Sequence, residues 1–366
     1  MSGVLTRLYR GETTFNFVGR RWWGFGLSLF LIVVTMLSLF TRGLNLGIDF
    51  EGGVAWEVPA TSIKIEDVTA ILEANRVDTA DAKIQSLNGS DGSRIRVQVA
   101  EQTAEVKSAV QSALAEKAKV DVQDVSVSSV SSSWGRSITE KAVRALLIFF
   151  VLVSVFIAWR FEWKMALSAI LAMVHDVLIS VGVYSITGLA VTPATVIAFL
   201  TILGFSLYAT IVVFDKVHDN TARYAASRVS YADITNVSMN QVLMRSINTS
   251  LAAVLPVLSL LVLGSWVLGA VALEEFAIAL LVGLLLGAYS SIFVATPLLA
   301  QFKTREPKYA SLADEIHTGS EMARIAGSGK KTIQRVAATA QDSEREVVLA
   351  SSALTHPPRP RKKRRR

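Results

Sequence analysis

Hydrophobic and polar positions sort along this chain into six long apolar stretches and one interval of alternating texture. A helix crosses the hydrocarbon core of a bilayer with about 20 predominantly apolar residues. Stretches of that kind, bounded by charge, run over Trp22–Thr41, Lys141–Trp159, Met165–Ile186, Pro193–Phe214, Val242–Leu263 and Phe276–Ala300. Six membrane spans follow. The first has the alternative of a secretory signal, but the charged region before it is long and no small-residue cleavage site follows, so it reads as a span.

Between the first two spans the period changes. Val54–Val58 alternates as a strand does, and Val68, Ile71 and Leu72 within Ile65–Val77 keep helical spacing. Ala82–Leu87 and Arg94–Val99 alternate again around Asn88-Gly89-Ser90-Asp91-Gly92, a hairpin signal. Ala104–Ala118 is helical through Val106, Val110 and Leu114, and Val120–Val130 returns to alternation. Strand–helix–strand–strand–helix–strand is the ferredoxin-like order, and a domain of about 85 residues can bury its own core without disulfides. The predicted fold class is therefore an α-helical polytopic membrane protein with a ferredoxin-like α+β domain between its first and second spans. Its parts are a cytoplasmic N-terminus (1–21), the first span (22–41), an extracytoplasmic domain (42–140), the remaining bundle (141–302) and a basic, mostly disordered cytoplasmic tail (303–366).

Composition agrees with a membrane protein: 51% of the 366 residues are hydrophobic and 18% charged, below the roughly 25% charge of soluble domains. The mean hydropathy of +0.43 excludes a disordered, collagen-like or ordinary soluble chain. Without cysteine there is no disulfide, thiolate metal site or cysteine nucleophile. His175, His218, His317 and His356 are scattered, so no metal site is expected.

Charge then sets the orientation. Arg7, Arg10, Arg20 and Arg21 precede the first span, Arg160 and Lys164 lie between the second and third, and Lys216, Arg223 and Arg228 follow the fourth. The chain ends in Arg361-Lys362-Lys363-Arg364-Arg365-Arg366. Thr187–Thr192 is uncharged, and only Glu274 and Glu275 charge the connection before the sixth span. Lys and Arg stay in the cytoplasm, so both termini are placed there. Residues 43–140 carry 9 Lys+Arg against 15 Asp+Glu, and residues 303–366 carry 15 against 7. The net +7 thus hides segments of opposite sign on opposite sides. The basic end supports the topology and suits contact with anionic lipid or the ribosome.

A charge at the bilayer centre costs on the order of 3 kcal/mol or more, which makes it a functional candidate by default. Asp176 lies mid-span in the third stretch. Two readings are open: a carboxylate that binds protons, or one held permanently by hydroxyls on facing spans. His175 precedes it and is expected to point to a different face, as a packing or hydrogen-bonding residue. With a helix starting near Val237, Arg245 sits about two turns inside the fifth span. There it either needs an acceptor or anchors at the interface. Thr201, Gly204, Ser206, Tyr208, Ala209 and Thr210 make the fourth span small and polar, and Ala279, Gly283, Gly287 and Ser291 recur every four residues in the sixth. Both stripes suit close helix packing. Residues 327–331 (Gly-Ser-Gly-Lys-Lys) lack the first glycine of a phosphate-binding loop, and no strand precedes them. No hydrolytic triad can be assembled, so neither enzyme activity nor a cofactor is expected.

Several motifs in order resemble the SecD/SecF protein-export family. Gly47-Ile48-Asp49-Phe50-Glu51-Gly52-Gly53 is similar to its GIDFxGG signature, and Val130–Ala142 to the approach to its second span. Val174-His175-Asp176-Val177-Leu178, then Gly204-Phe205-Ser206-Leu207 with Thr210–Val217 (which includes Asp215), resemble its third and fourth spans. Asn240-Gln241 with Arg245–Ser250 resembles the fifth. The likeness covers about residues 15–303, and the single six-span unit points to the SecF branch rather than a fused SecDF.

The resemblance implies half of a transporter of the resistance-nodulation-division type, paired with SecD. It also implies association with the SecYEG channel, and in some settings with a YajC-type accessory subunit. The pair would act after the SecA motor, drawing exported polypeptides outward at the expense of the proton gradient. It implies an Asp at position 209 that lines a proton path with Arg245, where this chain has Ala209. Ala cannot bind a proton, and Tyr208 and Thr210 offer only hydroxyls. Either the alanine was introduced to hold one state, or the chain couples otherwise. Two other readings stay open: a non-coupling scaffold that stabilises SecD and the channel, and half of a small-molecule or lipid exporter of the same superfamily.

Overall fold

The computed structural model describes residue 8 and residues 13–80, 82–89, 92–267, 271–313 and 315–327. In chain order they form helix α1 (Arg21–Arg42), a one-turn helix α2 (Ile48–Glu51), strand β1 (Gly53–Pro59), α3 (Ile65–Ala74), β2 (Lys83–Gly89), β3 (Gly92–Val99), α4 (Ala104–Ala118) and β4 (Ser126–Val130). Then come α5 (Ser132–Arg160), α6 (Trp163–Thr187), α7 (Pro193–Arg223), α8 (Tyr231–Ser259), α9 (Val271–Ser290), α10 (Thr296–Thr304) and α11 (Pro307–Ala310). A π-helical stretch, Leu260–Val267, extends α8, and another, Ser291–Ala295, joins α9 to α10. Among the described residues, six helices are long and apolar enough to cross a membrane: α1, α5, α6, α7, α8 with its extension, and α9 continued through α10.

The sheet order is β2-β3-β1-β4 with every neighbour antiparallel, the ferredoxin-like arrangement the alternation predicts. Period-two alternation divides its two faces. Val54, Trp56, Val58 and Val97 are buried with Val68 and Leu72 of α3 and with Val110 and Leu114 of α4. The other face carries Lys83, Gln85 and Arg96 and meets the bundle. Gln85 Nε2 donates to the Gly188 carbonyl at 2.7 Å, and Lys83 Nζ to the Leu46 carbonyl at 3.0 Å.

The Gly47–Gly53 motif makes the joint between α1, the sheet and α5. Gly52 has φ +81° and Gly53 φ +126°, backbone that L side chains rarely adopt. A Cβ on Gly52 would lie 2.6 Å from the Ser132 Cα, and one on Gly135 2.7 Å from the Phe50 carbonyl. Two backbones cross there without side chains between them. Phe50 is buried and Asp49 opens the short helix.

Three sequence expectations are corrected by the helices themselves. The fifth helix starts at Tyr231 rather than near Val237, which puts Arg245 fourteen residues in, about 21 Å at 1.5 Å per residue. Its first turns look like a loop because they are polar, yet Asp233, Thr235, Asn236, Ser238 and Asn240 are buried in protein. Similarly, α7 continues past Phe214 to Arg223, and α5 begins at Ser132, because hydropathy marks the lipid-crossing part of a helix and not its ends. The beginning of the tail is also not disordered. Residues 319–327 are helical and Tyr309, Leu312 and Met322 are buried. His317 donates its backbone N–H to Asp233 Oδ1 at 2.7 Å, and its Nδ1 lies 2.6 Å from Oδ2. The basic end of the tail lies outside the described residues.

Candidate functional site

Among the described residues, a carboxylate buried at mid-span is the centre of the bundle's polar network. Asp176 of α6 is fully buried. Ser206 of α7 donates to its Oδ2 at 2.5 Å and Ser290 of α9 to the same oxygen at 2.6 Å. His175 does not point away from it: Nδ1 lies 2.9 Å from Asp176 Oδ1, which corrects the expectation of a separate face. The imidazole bridges onward, its Nε2 lying 3.0 Å from Ser28 Oγ of α1. Ser28 meets the Tyr289 hydroxyl at 3.1 Å, and Tyr289 donates to the Gly24 carbonyl at 2.8 Å. One chain of hydrogen bonds therefore ties four spans together.

Such an arrangement holds one proton in two ways. With the carboxylate ionised, both serine hydroxyls donate to it, and charge-assisted donors are about twice as strong as neutral ones. With Oδ2 protonated, the carboxyl becomes a donor there and one serine must turn elsewhere. A proton on the His175–Asp176 pair thus changes what α7 and α9 bond to. That couples occupancy to helix packing, the requirement for a protonation switch.

The fourth- and sixth-span stripes place their small residues at this centre. A Cβ on Gly287 would sit 3.1 Å from the Ser206 Cβ, and one on Gly283 2.2 Å from Ile202 Cδ1. Ala209 and Thr210 are buried one turn beyond Ser206. Gly204 and Tyr208 face outward. Arg245 is exposed at mid-helix with Asn248 one turn on, and neither side chain has a partner among the described residues. Among the described residues no bond joins Arg245 to Tyr208.

The other motif residues serve the end of the bundle opposite the sheet domain. Asn240 accepts from the Phe15 N–H at 2.9 Å and donates to the Phe15 carbonyl at 2.8 Å, which staples the segment before α1 to α8. Gln241 accepts from Asn220 at 3.0 Å, and Asp215 accepts from Arg160 at 3.1 Å.

Two participants were not singled out from sequence. Ser290 lies beside the expected every-four stripe, at the start of the π turn that shifts its register. Glu275, expected in a connection, is 4% exposed in α9. Arg96 of β3 bonds it at 2.9 Å and bonds Glu57 of β1 at 2.6 Å. Burial alone would lower the Arg96 pKa, but Glu275 and Glu57 outweigh it and hold the guanidinium above its ordinary value. A charged clasp therefore fixes the sheet domain to the N-terminal end of α9.

Comparison with known proteins gives concordant matches. The family described as protein export membrane protein SecD/SecF, C-terminal, matches residues 109–305, and the SecD/SecF GG motif matches residues 37–55. A protein translocase subunit SecF of Streptomyces coelicolor is 40% identical over 311 residues, which cover 85% of this chain and 82% of that protein. One from Mycobacterium tuberculosis is 43% identical over 308 residues, covering 82% and 70%. The crystal structure of SecDF from Thermus thermophilus, titled a translocon-associated membrane protein, superposes with a TM-score of 0.72 at 32% identity. That match covers 81% of this chain and 39% of the other.

Proposed function

The chain belongs to the SecD/SecF family of protein-export membrane proteins, and from that premise we propose that it is the SecF-type half of a paired unit, joined in the membrane to a SecD-type chain. It lies in a bacterial cytoplasmic membrane with both termini inside and the sheet domain outside. Its pair works beside SecYEG, after SecA and with a YajC-type subunit where one is present, and helps draw exported polypeptides outward. The observation that carries the pairing is Arg245 with Asn248, exposed at mid-helix and unpartnered among the described residues. A cation left facing lipid is costly, so a second protein surface covers it. Tyr208 and Leu251, both exposed by half or more, extend the same requirement along α7 and α8.

Within this chain the proton-binding group is Asp176 with His175, and position 209 is not used. One observation favours a second reading, a scaffold without coupling: Ala209 stands where the family resemblance implies an acid. Co-purification tests the pairing. The full chain is expected to retain a co-expressed SecD-type partner, and Arg245→Glu to reduce the retained partner at least about tenfold, since an unmatched buried charge costs about 3–5 kcal/mol. Equal retention would remove the interface from this face.

A further inference from the structure

Asp176, Ser180 and Tyr184 are spaced by four along α6 and share one side of it. Their contacts fix that side. Asp176 accepts from α7 and α9. Tyr184 packs edge-on against Phe199 of α7 and donates to the Glu275 carbonyl of α9 at 2.7 Å. Ser180 lies between them, about 6 Å along the axis from each. It is 2% exposed, and its hydroxyl has no hydrogen-bond partner. The other hydroxyls of α6 are satisfied, Ser168 and Thr187 on the carbonyl four residues back and Ser185 on the Gly43 carbonyl. Ser180 is not, and an orphaned buried hydroxyl calls for a water or a missing group.

The layer opposite Ser180 is apolar. Antiparallel register sets Ile202 of α7 there, four residues from Ser206, and Ile202 fills the notch left by Gly283 of α9. Beyond Tyr184 the line reaches Glu275 and its partner Arg96 under the sheet domain. Carboxylate, hydroxyl and phenol thus line one side of α6 from mid-span toward the charged clasp, with Ile202, Ala198 and Leu280 packed among them.

We infer that Ser180 marks a hydration site on a proton route from the sheet-domain side to Asp176, and that Ile202 seated on Gly283 closes this route in the observed conformation. Each hydroxyl or water on the route accepts one proton and passes another on, so nothing is consumed. The inference rests on the reading of Asp176 as the proton-binding group.

Because the chain contains no cysteine, a single introduced thiol reports water access without background. The full chain with its partner, in vesicles, is treated from the sheet-domain side with a small cationic methanethiosulfonate that does not cross the bilayer. Thiols react as thiolates, which form only where water reaches them. With the route closed, the Ser180→Cys thiol is expected to react at a rate close to that of Ile179→Cys, its buried neighbour on another face, and at least about tenfold faster when Ile202→Ser is added, which leaves Ile179→Cys unchanged. Equal rates for the two thiols with Ile202→Ser present would overturn the route. Export separates the two ideas. Labelling of Ser180→Cys together with gradient-dependent export that survives Asp176→Asn would overturn the proton role and leave a water pocket.

Discussion

Arg96 and Glu275 are separated by 179 positions in sequence and by 2.9 Å in space. Nothing in the pattern around either one announces the other. Glu275 looks like the end of a connection because hydropathy rises only after it, and Arg96 looks like the polar half of an alternating strand. Asp176 was legible for the opposite reason: a carboxylate inside twenty apolar residues has no other explanation than a partner or a function. Of its donors, Ser206 stood in the small, polar stripe of the fourth span, whereas Ser290 did not stand out, since serine is neutral to any hydropathy argument. For the clasp, Arg96→Ala leaves a buried Glu275 uncompensated and is expected to destabilise the protein by about 3–5 kcal/mol. The volume-conserving pair Arg96→Met with Glu275→Leu is expected to recover most of that. Thermal unfolding of the purified chain measures both, and an unchanged midpoint for Arg96→Ala would contradict a clasp.

At the scale of elements, alternation and helical spacing identified the four strands and helices α3 and α4 of the sheet domain, because its faces are either core or polar, but the last strand was drawn too long: Val122–Asp124 form a 3-10 turn before it starts at Ser126. The long helices were found but shortened, most of all α8. Its first turns are polar and buried by other protein segments, a situation that resembles a loop in one dimension. The strap over residues 315–327 was hidden for the same reason. Its anchor is His317, whose pKa Asp233 raises above the ordinary 6.5 through the hydrogen bond to Nδ1, against a small opposing effect of burial. Glu321 and Glu315 add to the rise. A histidine raised in the folded state contributes stability that is fully present below its ordinary value and is lost as pH climbs through the raised one. Tryptic cleavage after Arg324 is therefore expected to accelerate across that window, beyond the change in trypsin's own rate, and to lose its pH dependence in His317→Ala. A parallel response in both proteins would remove the anchor.

At the scale of the whole molecule, two units of unlike texture are joined at three places: the Gly52–Gly135 crossing, the carbonyl contacts of Gln85 and Lys83, and the Arg96–Glu275 clasp. The clasp sits at one end of α9, and Ser290, fifteen residues on, bonds Asp176. The carboxylate's contact and the clasp thus lie on one helix, about 22 Å apart. Family motifs marked the joint and the bundle from sequence alone, yet they pointed to position 209, where an alanine can hold no proton. The measurement that bears most directly on this account is gradient-dependent export in a strain depleted of its own SecF, complemented at matched levels by this chain, by Asp176→Asn and by Ala209→Asp. The account predicts that the unaltered chain supports the gradient-dependent increment, that Asp176→Asn loses it while still retaining its partner, and that Ala209→Asp adds little. Export that appears only with Ala209→Asp and is indifferent to Asp176→Asn would contradict it.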